Sequence, residues 1–120
     1  MSSLAQLRRI AEVEFASIVV QTDLLEAKLR VLLTDTSYVD VWVSRTLSGR
    51  FGFHWERRHL DGRIYRYDNF PDANWSGVTA FPAHFHDGDQ HTVVGAPFSA
   101  TPEQGFREFM AFVQDRMSLR

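Results

Sequence analysis

His84 and His86 stand two residues apart, with Pro82 just before them and Asp87-Gly88 just after. On an extended strand that spacing turns both imidazoles to the same side, about 7 Å apart. Imidazole is the side chain that takes up and releases protons near neutral pH. His54 and Glu56 repeat the spacing, and Arg58 continues it. A third group is the run Tyr65-Arg66-Tyr67-Asp68-Asn69. Imidazole, carboxylate and guanidinium together meet the needs of RNA cleavage. One group removes the 2′-OH proton, another protonates the leaving oxygen, and a cation stabilises the charge of the phosphorane. His84, His86, Asp68 and Arg66 are therefore the candidate catalytic residues. Tyr65 and Tyr67 could stack on bases, and Asn69, His54, Glu56 and Arg58 could contact substrate.

The same residues have other readings. Two same-side imidazoles can ligate zinc or another divalent ion, with a third ligand from His54, Glu56, Asp87 or His91. They can also be structural. A polar face on an antiparallel sheet is often just its solvated side, and a strand that ends in Asp-Asn is often just entering a turn. His59 and His91 lie beside turns and are expected to be exposed. No Gly-rich phosphate loop, nucleophile elbow or paired-Cys metal motif is present. No bound cofactor is expected, apart from the divalent metal that His84 and His86 could hold.

The elements that must position these residues are legible from periodicity. Leu4, Leu7, Ile10 and Ala11 have helical spacing, and Ser2 or Ser3 could cap that helix. The N-terminal helix is placed over residues 1–16. Phe15 to Val20 could begin a strand. From Leu24 the period is two: Leu25, Ala27, Leu29, Val31 and Leu33 alternate with polar residues, as do Val39, Val41 and Val43, and then Phe51, Phe53 and Trp55. Turns fall at Asp35-Thr36-Ser37, Ser48-Gly49 and Asp61-Gly62, the last a two-residue hairpin signal. Ile64 to Asp68 returns. A loop follows over Asn69 to Gly77. A further strand is expected over Val78 to His86, held to an edge or bulge by Pro82. A turn at Asp87-Gly88-Asp89 leads to a short strand in His91 to Val94. Thr101-Pro102-Glu103-Gln104 opens a C-terminal helix over residues 101–118, whose stripe is Phe106, Phe109, Met110, Val113 and Met117.

The expected fold is α+β. An antiparallel meander of about five to six strands spans residues 17–95, and the N-terminal and C-terminal helices pack on one of its faces. The opposite face would carry Glu26, Lys28, Arg30, Asp40, His54, Glu56 and Arg58. The chain has 120 residues, a length for one domain, 1–120, with a core of its own. It has no Cys, so disulfide and thiolate chemistry are excluded. The net charge of −2 excludes a generally basic nucleic-acid coat, so phosphate binding would need a local cluster. No apolar run approaches the roughly 20 residues that span a bilayer, and the N-terminus makes a poor signal peptide. The expectation is a cytoplasmic protein with no membrane partner. Exposed edge strands could allow a homodimer.

Four blocks resemble the TumE family: Leu24-Leu25-Glu26-Ala27-Lys28-Leu29-Arg30, Phe53-His54-Trp55-Glu56-Arg57-Arg58-His59, Tyr65-Arg66-Tyr67-Asp68-Asn69 and Phe81-Pro82-Ala83-His84-Phe85-His86-Asp87-Gly88. The resemblance runs from about Leu24 to Met117 and leaves out the first two dozen residues. Members are regarded as toxins of type II toxin–antitoxin systems. The resemblance therefore implies a toxin with a small helix-turn-helix antitoxin as partner. It does not supply a mechanism. Ribonuclease action on RNA rests on the analogy with other small α+β toxins; the alternatives are a metal-binding hydrolase, or a non-catalytic module that binds an antitoxin or a nucleic acid. Within the family blocks, Arg66, Asp68, Asn69, His84 and His86 are the residues able to do chemistry. The functional reading requires the two imidazoles to meet Arg66 and Asp68 in an open hollow.

Overall fold

The computed structural model describes residues 3–44, 49–69, 84–95 and 97–119. The chain runs α1 (Leu4–Glu14), β1 (Val19–Leu25), β2 (Lys28–Leu33), β3 (Tyr38–Val43), β4 (Phe51–Arg57), α2 (Arg58–Asp61), β5 (Arg63–Asp68), β6 (His84–Gly88), β7 (Val93–Gly95) and α3 (Pro102–Met117). The strands form one sheet in the order β1-β2-β3-β4-β5-β6-β7, each antiparallel to the next. The fold is the expected α+β meander between two terminal helices. Among the described residues it has seven strands rather than five to six.

The additional strand arises where one long alternating run was expected. Leu24 to Leu33 breaks at Glu26-Ala27 into a tight hairpin, with Leu25 paired to Lys28 and Leu24 to Leu29. Paired residues share a face. Leu25 therefore falls with Lys28 on the polar side and is 41% exposed, while Leu29 and Val31 are fully buried. A two-residue turn shifts the phase of the alternation by one, and periodicity alone does not register the shift.

Other turns also differ in detail. Asp61-Gly62 is not a two-residue hairpin. Arg58–Asp61 forms one helical turn that ends on Gly62 in the left-handed region (φ 77°), whose N–H donates to the Arg58 carbonyl. Near residue 88 the strand continues through Gly88, and the turn is built on Asp89, whose Oδ1 accepts from the backbone N–H groups of His91 and Thr92. Residues 78–83 of the expected strand, residues 70–77 of the expected loop and Ser48 lie outside the described residues.

Both long helices lie on one face of the sheet. Ser3 caps α1 with a reciprocal bond to Gln6. α3 starts at Pro102 after Thr101, but the capping box expected there does not form. Gln104 instead donates to Glu108. The core between helices and sheet joins Leu7, Ile10 and Ala11 of α1, alternate residues of β2 to β6, and Phe106, Phe109, Met110 and Val113 of α3. Phe53 sits at its aromatic centre, 5.2 Å from Phe51, 5.4 Å from Phe106 and 5.5 Å from Phe109, measured between ring centroids. With the helices on that side, the other face of the sheet is left to polar groups.

Candidate functional site

Strand register builds the site. Asp23, Arg30, Asp40, His54, Arg66 and His86 are successive cross-strand partners from β1 to β6, so they stand in one row across the polar face. The next row runs Lys28, Trp42, Gly52, Asp68 and His84. Neighbours in such rows are about 5 Å apart. The meander thus brings Arg66, Asp68, His84 and His86 together, although 15 residues of chain separate Asp68 from His84.

The contacts are specific. Asp68 divides its carboxylate: Oδ1 lies 3.3 Å from His84 Nε2, and Oδ2 accepts from Arg66 Nε at 3.0 Å. The His84 and His86 rings meet edge to face with centroids 5.2 Å apart. His86 Nδ1 is 3.0 Å from the Gln90 carbonyl. A carbonyl only accepts, so Nδ1 carries the proton and Nε2 the lone pair. Burial pushes the His86 pKa down, which keeps this ring neutral at physiological pH. One ligand atom each from Asp68, His84 and His86 lies within 4.8 Å of the others. The three residues are gathered but not open: they are 4%, 4% and 5% exposed. This corrects the expected open hollow. Arg66 is the more accessible member, with 34% of its side chain exposed.

A second group adjoins the first. His54, the cross-strand partner of Arg66, donates from or accepts at Nε2 against Glu56 Oε1, 3.1 Å away. Glu56 is gripped by Arg58 through two guanidinium bonds and the Arg58 backbone N–H. Those bonds, led by the Arg58 side chain, lower the Glu56 pKa to about 2. An ionised Glu56 accepts, so His54 donates from Nε2. Burial pushes the His54 pKa down, and its Nδ1 is buried without a hydrogen-bond partner among the described residues. Asp40, next in the row, is already occupied by Lys28 and Arg30.

Three candidate substrate contacts have other employment. Tyr65 and Tyr67 face the helices. They are 4% and 0% exposed, and the Tyr67 hydroxyl donates to the Ser99 carbonyl. The alternation that puts Arg66 and Asp68 on the polar face puts both tyrosines in the core, so base stacking by them is corrected to core packing. Asn69 is a structural clamp: Oδ1 accepts from Phe51 N–H, and Nδ2 donates to the Gly49 carbonyl. As expected, His59 and His91 are exposed.

Sequence reasoning missed Trp42 and Gly52. They are cross-strand partners, and a Cβ at position 52 would sit inside the Trp42 ring. The indole therefore lies flat over Gly52 and carries the Arg66 guanidinium, 4.6 Å from its centroid. An aromatic opposite a strand glycine is the signal that could have found this pair. It was hidden because the register was not known. Asp68 is absent from the third metal ligands expected from sequence for the same reason.

A family model described as Toxin TumE matches residues 4–117. The match takes in α1, which the four sequence blocks had left outside. No curated protein and no solved structure matches the chain. Among the described residues, no helix is long and apolar enough to cross a membrane.

Proposed function

The chain belongs to the TumE toxin family, and from that premise we propose that it is the toxin of a type II pair, acts on RNA as a small ribonuclease, and is held in check by a helix-turn-helix antitoxin. One observation carries the RNA reading: Arg66, Asp68, His84 and His86 converge on one face of the sheet through neighbouring strands, with Arg66 the accessible member past which RNA would have to reach the enclosed imidazoles. Arg66 spends Nε on Asp68 and, among the described residues, makes no other hydrogen bond. Its two Nη groups suit the non-bridging oxygens of a phosphate. Trp42 beneath the guanidinium fixes the direction of that fork. Imidazole is able to serve both proton steps of transesterification. His86, with its Nδ1 proton on the Gln90 carbonyl, is assigned the base, and His84, 3.3 Å from Asp68, the acid.

The test uses the full chain. Its expression without antitoxin is expected to arrest growth and cleave a defined class of RNA, and co-expressed antitoxin is expected to relieve both. His84→Ala combined with His86→Ala is expected to abolish arrest and cleavage while the far-UV circular dichroism is kept. A folded double variant that remains fully toxic would remove these imidazoles from the reaction. Arrest with intact RNA would reject ribonuclease action.

A further inference from the structure

We propose that Asp68, His84 and His86 form a binding site for one divalent first-row transition-metal ion of the zinc type. Two imidazoles and one carboxylate are a ligand set found for such ions, with the remaining position open. Asp68 Oδ1 and His84 Nε2 stand 3.3 Å apart. Two ligands that far apart, each about 2.1 Å from a shared ion, subtend an angle of about 104°, close to tetrahedral. All three ligand atoms lie within 4.8 Å of one another. Ligands of a tetrahedral ion are separated by about 3.4 Å, so the set closes with at most about 1.5 Å of side-chain adjustment.

The surroundings support the ligands as outer partners of a metal site do. His86 gives its Nδ1 proton to the Gln90 carbonyl, which fixes the ring and leaves Nε2 as the nitrogen whose lone pair could ligate. Arg66 holds Oδ2 of Asp68, which orients the carboxylate with Oδ1 towards His84. Ligating histidines and carboxylates are commonly braced in this way by a carbonyl or a charged donor. Burial also fits. A carboxylate and two imidazoles that are 4–5% exposed have given up hydration, and a dication compensates that loss more fully than one guanidinium does. The ligands come from two adjacent strands, β5 and β6, that are directly paired at Asp68 and His84, so the backbone holds them before an ion arrives.

Metal binding goes beyond the RNA reading and does not depend on it; only a role for the ion in cleavage rests on that reading. An ion bound by His84 and His86 occupies the lone pairs that the acid–base reading uses, so the two readings describe a metal-loaded and a metal-free site, and the loaded site would place the ion's positive charge beside Arg66.

The experiment uses untagged full-length protein, stripped with chelator and titrated calorimetrically with Zn²⁺, Mn²⁺ and Co²⁺. RNA cleavage is assayed in parallel with and without chelator. Binding of about one ion per chain is expected, together with an absorption spectrum of the Co²⁺ form typical of four or five ligands and a raised melting temperature. His86→Ala and Asp68→Asn are expected to lose the site, and Arg66→Gln to weaken it about tenfold. His59→Ala with His91→Ala, which alters only exposed imidazoles, is expected to bind as wild type does. Absence of stoichiometric binding by the wild type would overturn the proposal. So would binding that survives in folded His86→Ala or disappears in His59→Ala with His91→Ala. Metal bound by a protein that leaves RNA intact in both the loaded and the chelator-stripped form upholds the site and rejects the ribonuclease reading. RNA cleaved by a protein that binds no metal does the reverse.

Discussion

Glu56 is the residue whose ionisation the fold controls most visibly. Arg58 grips its carboxylate and, with His54, holds the pKa at about 2 instead of the usual 4.5. The folded value lies below the unfolded one. Its contribution to stability is therefore full above about pH 4.5 and is lost as pH falls towards 2. Thermal melts from pH 6 to pH 2 are expected to show a steeper acid loss in wild type than in Glu56→Gln, and parallel curves would refute this. Burial of His54 acts at a different pH: its folded pKa lies below the ordinary 6.5, so its neutral form favours folding above that value and the benefit fades on acidification below it. Gly52 is a second residue-scale test. Gly52→Ala drives a methyl into the Trp42 ring and should cost about 1–3 kcal/mol. It should also lift the indole from under Arg66. The measurements are denaturant unfolding and RNA cleavage. Wild-type cleavage in a variant with a displaced Trp42 would show that the stack does not position Arg66.

Among the elements, the β4–α2–β5 corner is tied by a buried cation. Arg57 is 7% exposed. It bonds Asp35 Oδ2 at 3.0 Å and Asp61 Oδ2 at 2.7 Å, and lies 4.6 Å over the Trp55 ring. The indole N–H of Trp55 in turn donates to Ser37 in the β2–β3 turn. Removing one partner strands the other charge in the interior, so Arg57→Ala is expected to lose about 3–5 kcal/mol, read from urea unfolding. A loss below about 1 kcal/mol would mean that water replaces the pair. The candidate site lies on the opposite face, and its register starts from this corner: β5 pairs with β4 from Arg63 and Arg57 onward. A variant that slips here by one residue would turn Arg66 and Asp68 towards the helices.

For the whole molecule, helices and sheet share one core. Phe53 touches residues of β4, β5 and α3 through its ring neighbours. Phe53→Ala is expected to cost about 3–5 kcal/mol. Unfolding followed by far-UV circular dichroism and by tryptophan fluorescence is expected to trace one coincident transition, as one domain over 1–120 requires. Two separated midpoints would divide the chain. The formal charge of −2 leaves the Arg66 neighbourhood as a local cation site in a near-neutral surface. If the site binds RNA as proposed, that binding is expected to weaken only modestly with salt, because few counterions are released.

Fold class, the terminal helices and the polar-face placement of Lys28, Arg30, Asp40, His54 and Glu56 follow from periodicities of 3.6 and 2, which are local properties of the chain, whereas Glu26 falls in the hairpin turn, Arg58 in α2, and Leu25 on the polar side. His84 with His86, and Arg66 with Asp68, were found because residues two apart on a strand share a side whatever their partners are. Register is not local. It depends on each turn, and the Glu26-Ala27 hairpin and the helical turn at Arg58–Asp61 lie within runs whose alternation conceals them. Tertiary structure alone therefore decided that Asp68 faces His84, that Trp42 covers Gly52 beneath Arg66, that Tyr65 and Tyr67 belong to the core, and that the imidazoles are enclosed. Each of those facts concerns residues brought side by side by strand pairing, and pairing is set by the packing of the whole sheet against α1 and α3.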